Sequence, residues 1–266
     1  MTIKFGVIGG GVMGEALLSR LINLGIYQGS DVLVSDPLPS RRSFLAEKYG
    51  VGVTGENREV ATSAEVLFLA IKPQVFEAVA IELSAVPTSS LIISILAGVP
   101  LSKLEKAFPQ HPVIRTMPNT PATVGAGMSA IASGKQVKPE HLEQAKRIFQ
   151  AVGEVVEVPE SMLDAVTGLS GSGPGYVAIL IEALSDGGVA AGLPRAIASQ
   201  LALQTVLGTA QLLKESGMHP AELKDRVTSP GGTTIAGIAE LEKAVLRSSI
   251  IEAVKAAYRR SKELGS

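Results

Sequence analysis

Ile3-Lys4-Phe5-Gly6-Val7-Ile8-Gly9-Gly10-Gly11-Val12-Met13-Gly14-Glu15 is the stretch whose reading decides the fold. An apolar run ends in G-x-G-x-x-G, and helix-forming residues follow at once. That is the context a dinucleotide-binding turn requires. Gly9 permits the tight turn, Gly11 lets backbone approach a pyrophosphate, and Gly14 lets a helix pack closely on a sheet. The anion then rests on the positive end of the helix, against free N–H groups.

Outward from this turn the pattern repeats. Short apolar runs at 3–8, 32–34, 66–71, 91–96, 113–116 and 154–158 read as strands, and a helix is expected over 15–24. Continuous apolar runs fit a parallel sheet buried on both faces. The alternation predicts an α/β protein whose N-terminal half is a Rossmann-type, doubly wound sheet.

From about Ser161 the strand patterns stop. Tyr176, Ile179, Leu180, Ala183, Leu184 and Gly187 recur at helical steps. Pro194 after Gly192 restarts a helix expected to reach Leu213, and a last helix is expected over 235–264. Between Ser161 and Leu213 the charged residues are Asp164, Glu182, Asp186 and Arg195. Helices this apolar need a surface to cover them, so the second half is expected to be an all-α domain that buries itself against a second copy. The expected division is residues 1–160 for the dinucleotide and 161–266 for dimerisation and substrate.

Composition narrows the chemistry. The 266 residues are 46% hydrophobic and 18% charged, with a net charge of −1. That gives no pull toward nucleic acid or anionic membrane. There is no cysteine, which removes disulfides, thiolate catalysis and sulfur-ligated metals. His111, His141 and His219 are scattered and suggest no metal site. Met1 to Ile8 reads as a strand rather than a signal peptide. The nearest thing to a membrane span, 176–193, carries Glu182 and Asp186. A cytoplasmic, soluble protein is expected.

Asp36 stands 22 residues after Gly14, where an acid binds the ribose diol of NAD and repels the 2′-phosphate of NADP. Ser35 precedes it, and Arg41 and Arg42 follow, which suits a phosphate. Asp36-Pro37 also reads as a plain turn starter, with Ser40 as a helix cap. These residues leave the coenzyme open. Other strand ends carry Ala70-Ile71-Lys72-Pro73, Ala97-Gly98 and Arg115-Thr116-Met117-Pro118-Asn119. Lys72 and Asn119 are polar groups placed to hold a ribose or carboxamide, or they are loop punctuation.

Near the C-terminus, Thr228-Ser229-Pro230-Gly231-Gly232-Thr233-Thr234 places two glycines beside two threonine hydroxyls. Adjacent glycines form a nest of N–H groups suited to a carboxylate, and the hydroxyls suit a nearby nitrogen. A small amino-acid-like molecule has both.

Taken in order, 7–14, Ile71-Lys72-Pro73-Gln74, Arg115-Thr116-Met117-Pro118-Asn119-Thr120, Gly168-Leu169-Ser170-Gly171-Ser172-Gly173-Pro174 and 227–234 resemble the pyrroline-5-carboxylate reductase family over essentially the whole chain. The resemblance implies reduction of 1-pyrroline-5-carboxylate to L-proline with NADPH, which it favours, or NADH. It implies an interlocked homodimer, which family members commonly assemble into a ring, often of ten chains. It implies that Thr234 hydrogen-bonds the ring nitrogen. Ser229 and the N–H groups of Gly232 and Thr233 would hold the carboxylate, with Glu160 near the substrate. The coenzyme would touch Gly9, Gly11, Val12, Met13, Gly14, Ser35, Asp36, Asn57, Ala70, Lys72, Pro73 and Ala97. Gly175 replaces a usual alanine, and Asp36 stands where many members avoid a charge. A β-hydroxyacid dehydrogenase would have a similar plan, but no lysine occurs from Ser161 to Leu213 to serve as its catalytic base. A non-catalytic dinucleotide-binding regulator would leave 229–234 without a role.

Overall fold

The computed structural model describes residues 3–84 and 90–265, so Met1 and Thr2 of the first strand reading lie outside it. The chain forms two compact units. The first comprises residues 1–172 and 256–266, the second 173–255.

The first unit is built on one eight-stranded sheet. Its strands are β1 Ile3–Ile8, β2 Val32–Ser35, β3 Gly52–Thr54, β4 Ala64–Leu69, β5 Leu91–Ser94, β6 Val113–Met117, β7 Gly127–Ser133 and β8 Gly153–Glu157. The order is β3-β2-β1-β4-β5-β6-β7-β8, and every pairing is parallel except β6 with β7. The order reverses direction at β1, which makes a crevice above the β1–β4 boundary, where ligands bind in such sheets. The helices of this unit are α1 Val12–Asn23, α2 Pro39–Tyr49, α3 Asn57–Ser63, α4 Phe76–Leu83, α5 Leu101–Ala107, α6 Pro139–Gln150 and α7 Leu163–Val166. Phe5, Val7, Phe68 and Ile131 pack with Leu17, Leu21 and Phe149 on one face. Ile8, Leu67 and Ile92 pack with Val60, Phe76 and Leu104 on the other. Burial on both faces explains why these strands read as unbroken apolar runs.

The second unit is helical: α8 Gly173–Ala190, α9 Arg195–Ser216, α10 Pro220–Arg226, α11 Thr233–Lys243 and the start of α12 Leu246–Gly265, whose end belongs to the first unit. Ala198 and Ala202 are its only buried apolar side chains among the described residues. Ile179, Leu201, Leu203 and Leu207 are 53–67% exposed. A solvent-facing apolar surface of this extent marks an interaction face.

The structure corrects several expectations. β3 and β7 were not anticipated: β3 is three residues long, and β7 is made largely of Gly, Ala and Ser, which carry little strand signal. The helix expected over 15–24 begins at Val12. The single helix expected over 235–264 is two, broken where Val245 takes φ 52°, a left-handed conformation that a β-branched residue rarely adopts. Ser40 is not the cap of α2; Leu38 is, and Pro39 occupies the first helical position, where its missing N–H is harmless. The most membrane-like segment is α9 rather than 176–193: by length and composition alone it is apolar enough to cross a bilayer.

Candidate functional site

The first turn is crowded on one side and open on the other. The Gly9 N–H donates to the Ser35 carbonyl at 2.9 Å, tying the turn to β2. Gly9 has φ +102°, and a Cβ there would lie 2.7 Å from the Ala70 carbonyl oxygen. A Cβ on Gly14 would lie 2.3 Å from the Gly9 carbonyl oxygen. At Gly11, the N-cap of α1, a Cβ would meet nothing within 4 Å. That open space sits where the first N–H groups of α1 have no intrahelical partner, so the residues present fit a pyrophosphate.

Asp36 braces this turn. One carboxylate oxygen accepts from Gly10 N–H at 3.0 Å and the other from Leu38 N–H at 2.9 Å. Arg41 donates to the Gly10 carbonyl and pairs with Glu15 in the first turn of α1. Arg42 donates to the Asp36 and Pro37 carbonyls at 2.7 and 3.1 Å. Both arginines therefore have internal acceptors. Glu15 also accepts from Tyr49 and Lys48 at 2.7 and 3.1 Å. Desolvation pushes its carboxyl up, but Tyr49, Arg41 and Lys48 outweigh that and hold it at about 2. Arg41 and Lys48 also lie over the Phe44 ring. Sequence reasoning did not single out Glu15 or Tyr49. Only an acid in the first helical turn hinted at the cluster, since its partners come from a separate helix.

At the end of β2 the Ser35 hydroxyl donates to the Asn57 side-chain carbonyl at 2.7 Å. The Asn57 amide donates in turn to Glu82 at 2.8 Å. The structure thus joins Ser35 and Asn57, two of the expected coenzyme residues. Lys72 is exposed ahead of a short turn, Pro73–Val75, beyond β4, and Ala97 is exposed beyond β5. Ala70 follows β4 directly, its N–H donating to the Ile8 carbonyl at 2.9 Å.

Two expected polar groups face inward. Asn119 donates to Ser170 and accepts from Met128 N–H at 2.9 Å, so its amide braces a loop. Glu160 accepts from Leu101 N–H and pairs with buried Arg115 at 2.9 Å. Its carboxylate serves first as the counter-charge of a guanidinium that burial would otherwise penalise.

In the second unit, residues 229–232 form a turn closed by Gly232 N–H donating to Ser229 O at 3.0 Å. Proline at the second position and glycine with φ +67° at the third are the chemistry of a type II turn. Gly232 then caps α11. Its N–H is committed to the turn, so the first free helix donors are those of Thr233 and Thr234. A Cβ on Gly232 would meet the Ser229 hydroxyl at 2.3 Å, which shows how closely that hydroxyl folds over the turn. The result is a hydroxyl, a helix N-terminus and two threonines gathered in six residues.

Residues 4–98 match a family described as NADP oxidoreductase, coenzyme F420-dependent. Residues 160–264 match one described as pyrroline-5-carboxylate reductase dimerisation. A pyrroline-5-carboxylate reductase of Synechocystis is 62% identical over 265 residues, covering 100% of this chain and 99% of that protein. The chain belongs to the pyrroline-5-carboxylate reductase family. A solved family structure from Coxiella burnetii superposes with a TM-score of 0.93 at 36% identity, covering all of both chains. Another, from Plasmodium falciparum with NADP bound, gives 0.90 at 33% identity, covering 99% of this chain and 98% of that one. The Rossmann-type sheet followed by a helical dimerisation region is the architecture of the family, and the exposed faces of α8 and α9 fall within the region that carries its dimerisation signature.

Proposed function

We infer that this chain reduces 1-pyrroline-5-carboxylate to L-proline with NAD(P)H, the last step of proline biosynthesis. The observation that carries the reading is the 229–234 turn: a hydroxyl and free helix N–H groups for a carboxylate, beside a threonine hydroxyl for a ring nitrogen. Residues 1–160 bind the coenzyme and 161–266 bind substrate and a second copy. Gly9, Gly11, Val12, Met13 and Gly14 hold the pyrophosphate. Ser35, Asp36 and Asn57 meet the adenosine ribose, and Ala70, Lys72, Pro73 and Ala97 line the nicotinamide half.

When bound, the reduced nicotinamide supplies the hydride. The protein's share is alignment, because a protonated cyclic imine is already an electrophile. Ser229 and the N–H of Thr233 anchor the carboxylate, and Gly232, whose own N–H closes the turn, sets the backbone that presents them. The Thr234 hydroxyl holds the ring nitrogen as it changes from iminium to amine. Glu160, paired with Arg115, is assigned to the substrate by the family resemblance. No histidine–carboxylate pair is required. The dimer is interlocked through α8 and α9, larger rings are built from such dimers, and the protein works in the cytoplasm.

The test is coenzyme oxidation by the purified protein, followed by nicotinamide absorbance with and without the imine. Imine-dependent oxidation with proline as product supports the reading. Coenzyme binding without turnover on the imine overturns it.

A further inference from the structure

We propose that Glu82 is a specificity-determining residue that weighs against a phosphate on the adenosine ribose of the coenzyme. The proposal rests on the reading that this unit binds NAD(P)H. In this topology the adenosine ribose lies beyond the end of β2, beside the acid that follows it. That end is Ser35–Asp36. The buried Ser35 hydroxyl points to the Asn57 carbonyl, so the Asn57 amide turns its NH₂ toward Glu82. One of the two donors of this amide is therefore spent on a protein carboxylate rather than on a ligand phosphate.

The local charge is evenly balanced, so one carboxylate matters. Asp36 and Glu82 are both carboxylates, and neither forms an ion pair among the described residues. Arg41 is paired with Glu15, whereas Arg42 and Arg58 donate to backbone carbonyls and keep their charge, so two carboxylates face two cations and the charge on Glu82 decides which way this corner leans. A 2′-phosphate brings up to about two further negative charges to this corner. A 2′-hydroxyl brings a donor that a carboxylate can accept.

Glu82→Gln isolates the charge, because glutamine keeps an acceptor oxygen for the Asn57 amide. Dissociation constants for NADPH and NADH are measured by titration calorimetry on the full chain, without imine. The variant is expected to bind NADPH about threefold to tenfold more tightly, with NADH changed by less than about twofold. An unchanged NADPH/NADH ratio in the variant, or equal weakening of both, overturns the proposal. A protein that discriminates as proposed yet fails to reduce the imine would sink the proposed reaction and leave this inference standing.

Discussion

In the Gly9–Gly14 turn, side chains are forbidden by neighbours: a Cβ on Gly9 or Gly14 meets backbone at 2.7 or 2.3 Å. In the 229–234 turn Gly231 faces open space, and its glycine is needed for φ +67° alone. The contrast extends to the units that carry them. The sheet unit buries two apolar clusters of its own, whereas the helical unit buries two alanines and leaves its leucines in solvent. The first turn is therefore held by its own unit. The second belongs to a unit whose apolar surface awaits a partner.

The comparison predicts a graded set of effects. Gly14→Val should be the most damaging, because a branched side chain must displace backbone in a packed strand–turn–helix. A loss of about 4 kcal/mol or more is expected, with coenzyme binding abolished. Chemical denaturation and calorimetry would measure it, and a stable variant that binds coenzyme normally would show that the first turn is not rigid. Next, Leu203→Glu with Leu207→Glu on α9 should leave the sheet unit folded but split the oligomer. Burying an unpaired charge at each site should weaken association by about 100-fold or more. An unchanged mass by sedimentation would mean that this face is not the interface.

Thr234→Ala should lower kcat by about 10- to 100-fold, as expected for one lost hydrogen bond to developing charge. Coenzyme affinity should stay constant; if it collapsed with kcat, the second turn would not be a separate substrate site. The smallest effect concerns Glu15. Its carboxyl is held down at about 2, below its ordinary value of 4.5, so its stabilisation is full above about pH 4.5 and is lost as pH falls toward 2. The Tm of the unmodified protein should fall across that window, and that of Glu15→Gln should fall less. The difference should be about 2 kcal/mol, reduced for partial exposure. Parallel Tm profiles would remove Glu15 from the support of the first turn.

Much of this was legible in the sequence because it is local. A strand, three glycines and a helix start are neighbours along the chain, so the first turn and its open face at Gly11 could be read directly. The turn at 229–234 was legible for the same reason. β7 was not, because a strand of small residues is defined by its neighbours β6 and β8 rather than by its own pattern. The break at Val245 was not, because nothing in its side chain favours a left-handed backbone.

The sequence by itself determined the fold class, the family and the two glycine turns, since each rests on short-range periodicity or a contiguous motif. Only the tertiary structure decided what the charged side chains do. It turned Asn119 and Glu160 inward, gave Arg41 to Glu15, and set Glu82 behind Asn57. Those pairings join residues 25 to 45 positions apart, except the nine-residue step from Asn119 to Met128. Hydrogen bonds over such separations depend on how helices and strands pack, and no local pattern encodes the partner of a long polar side chain.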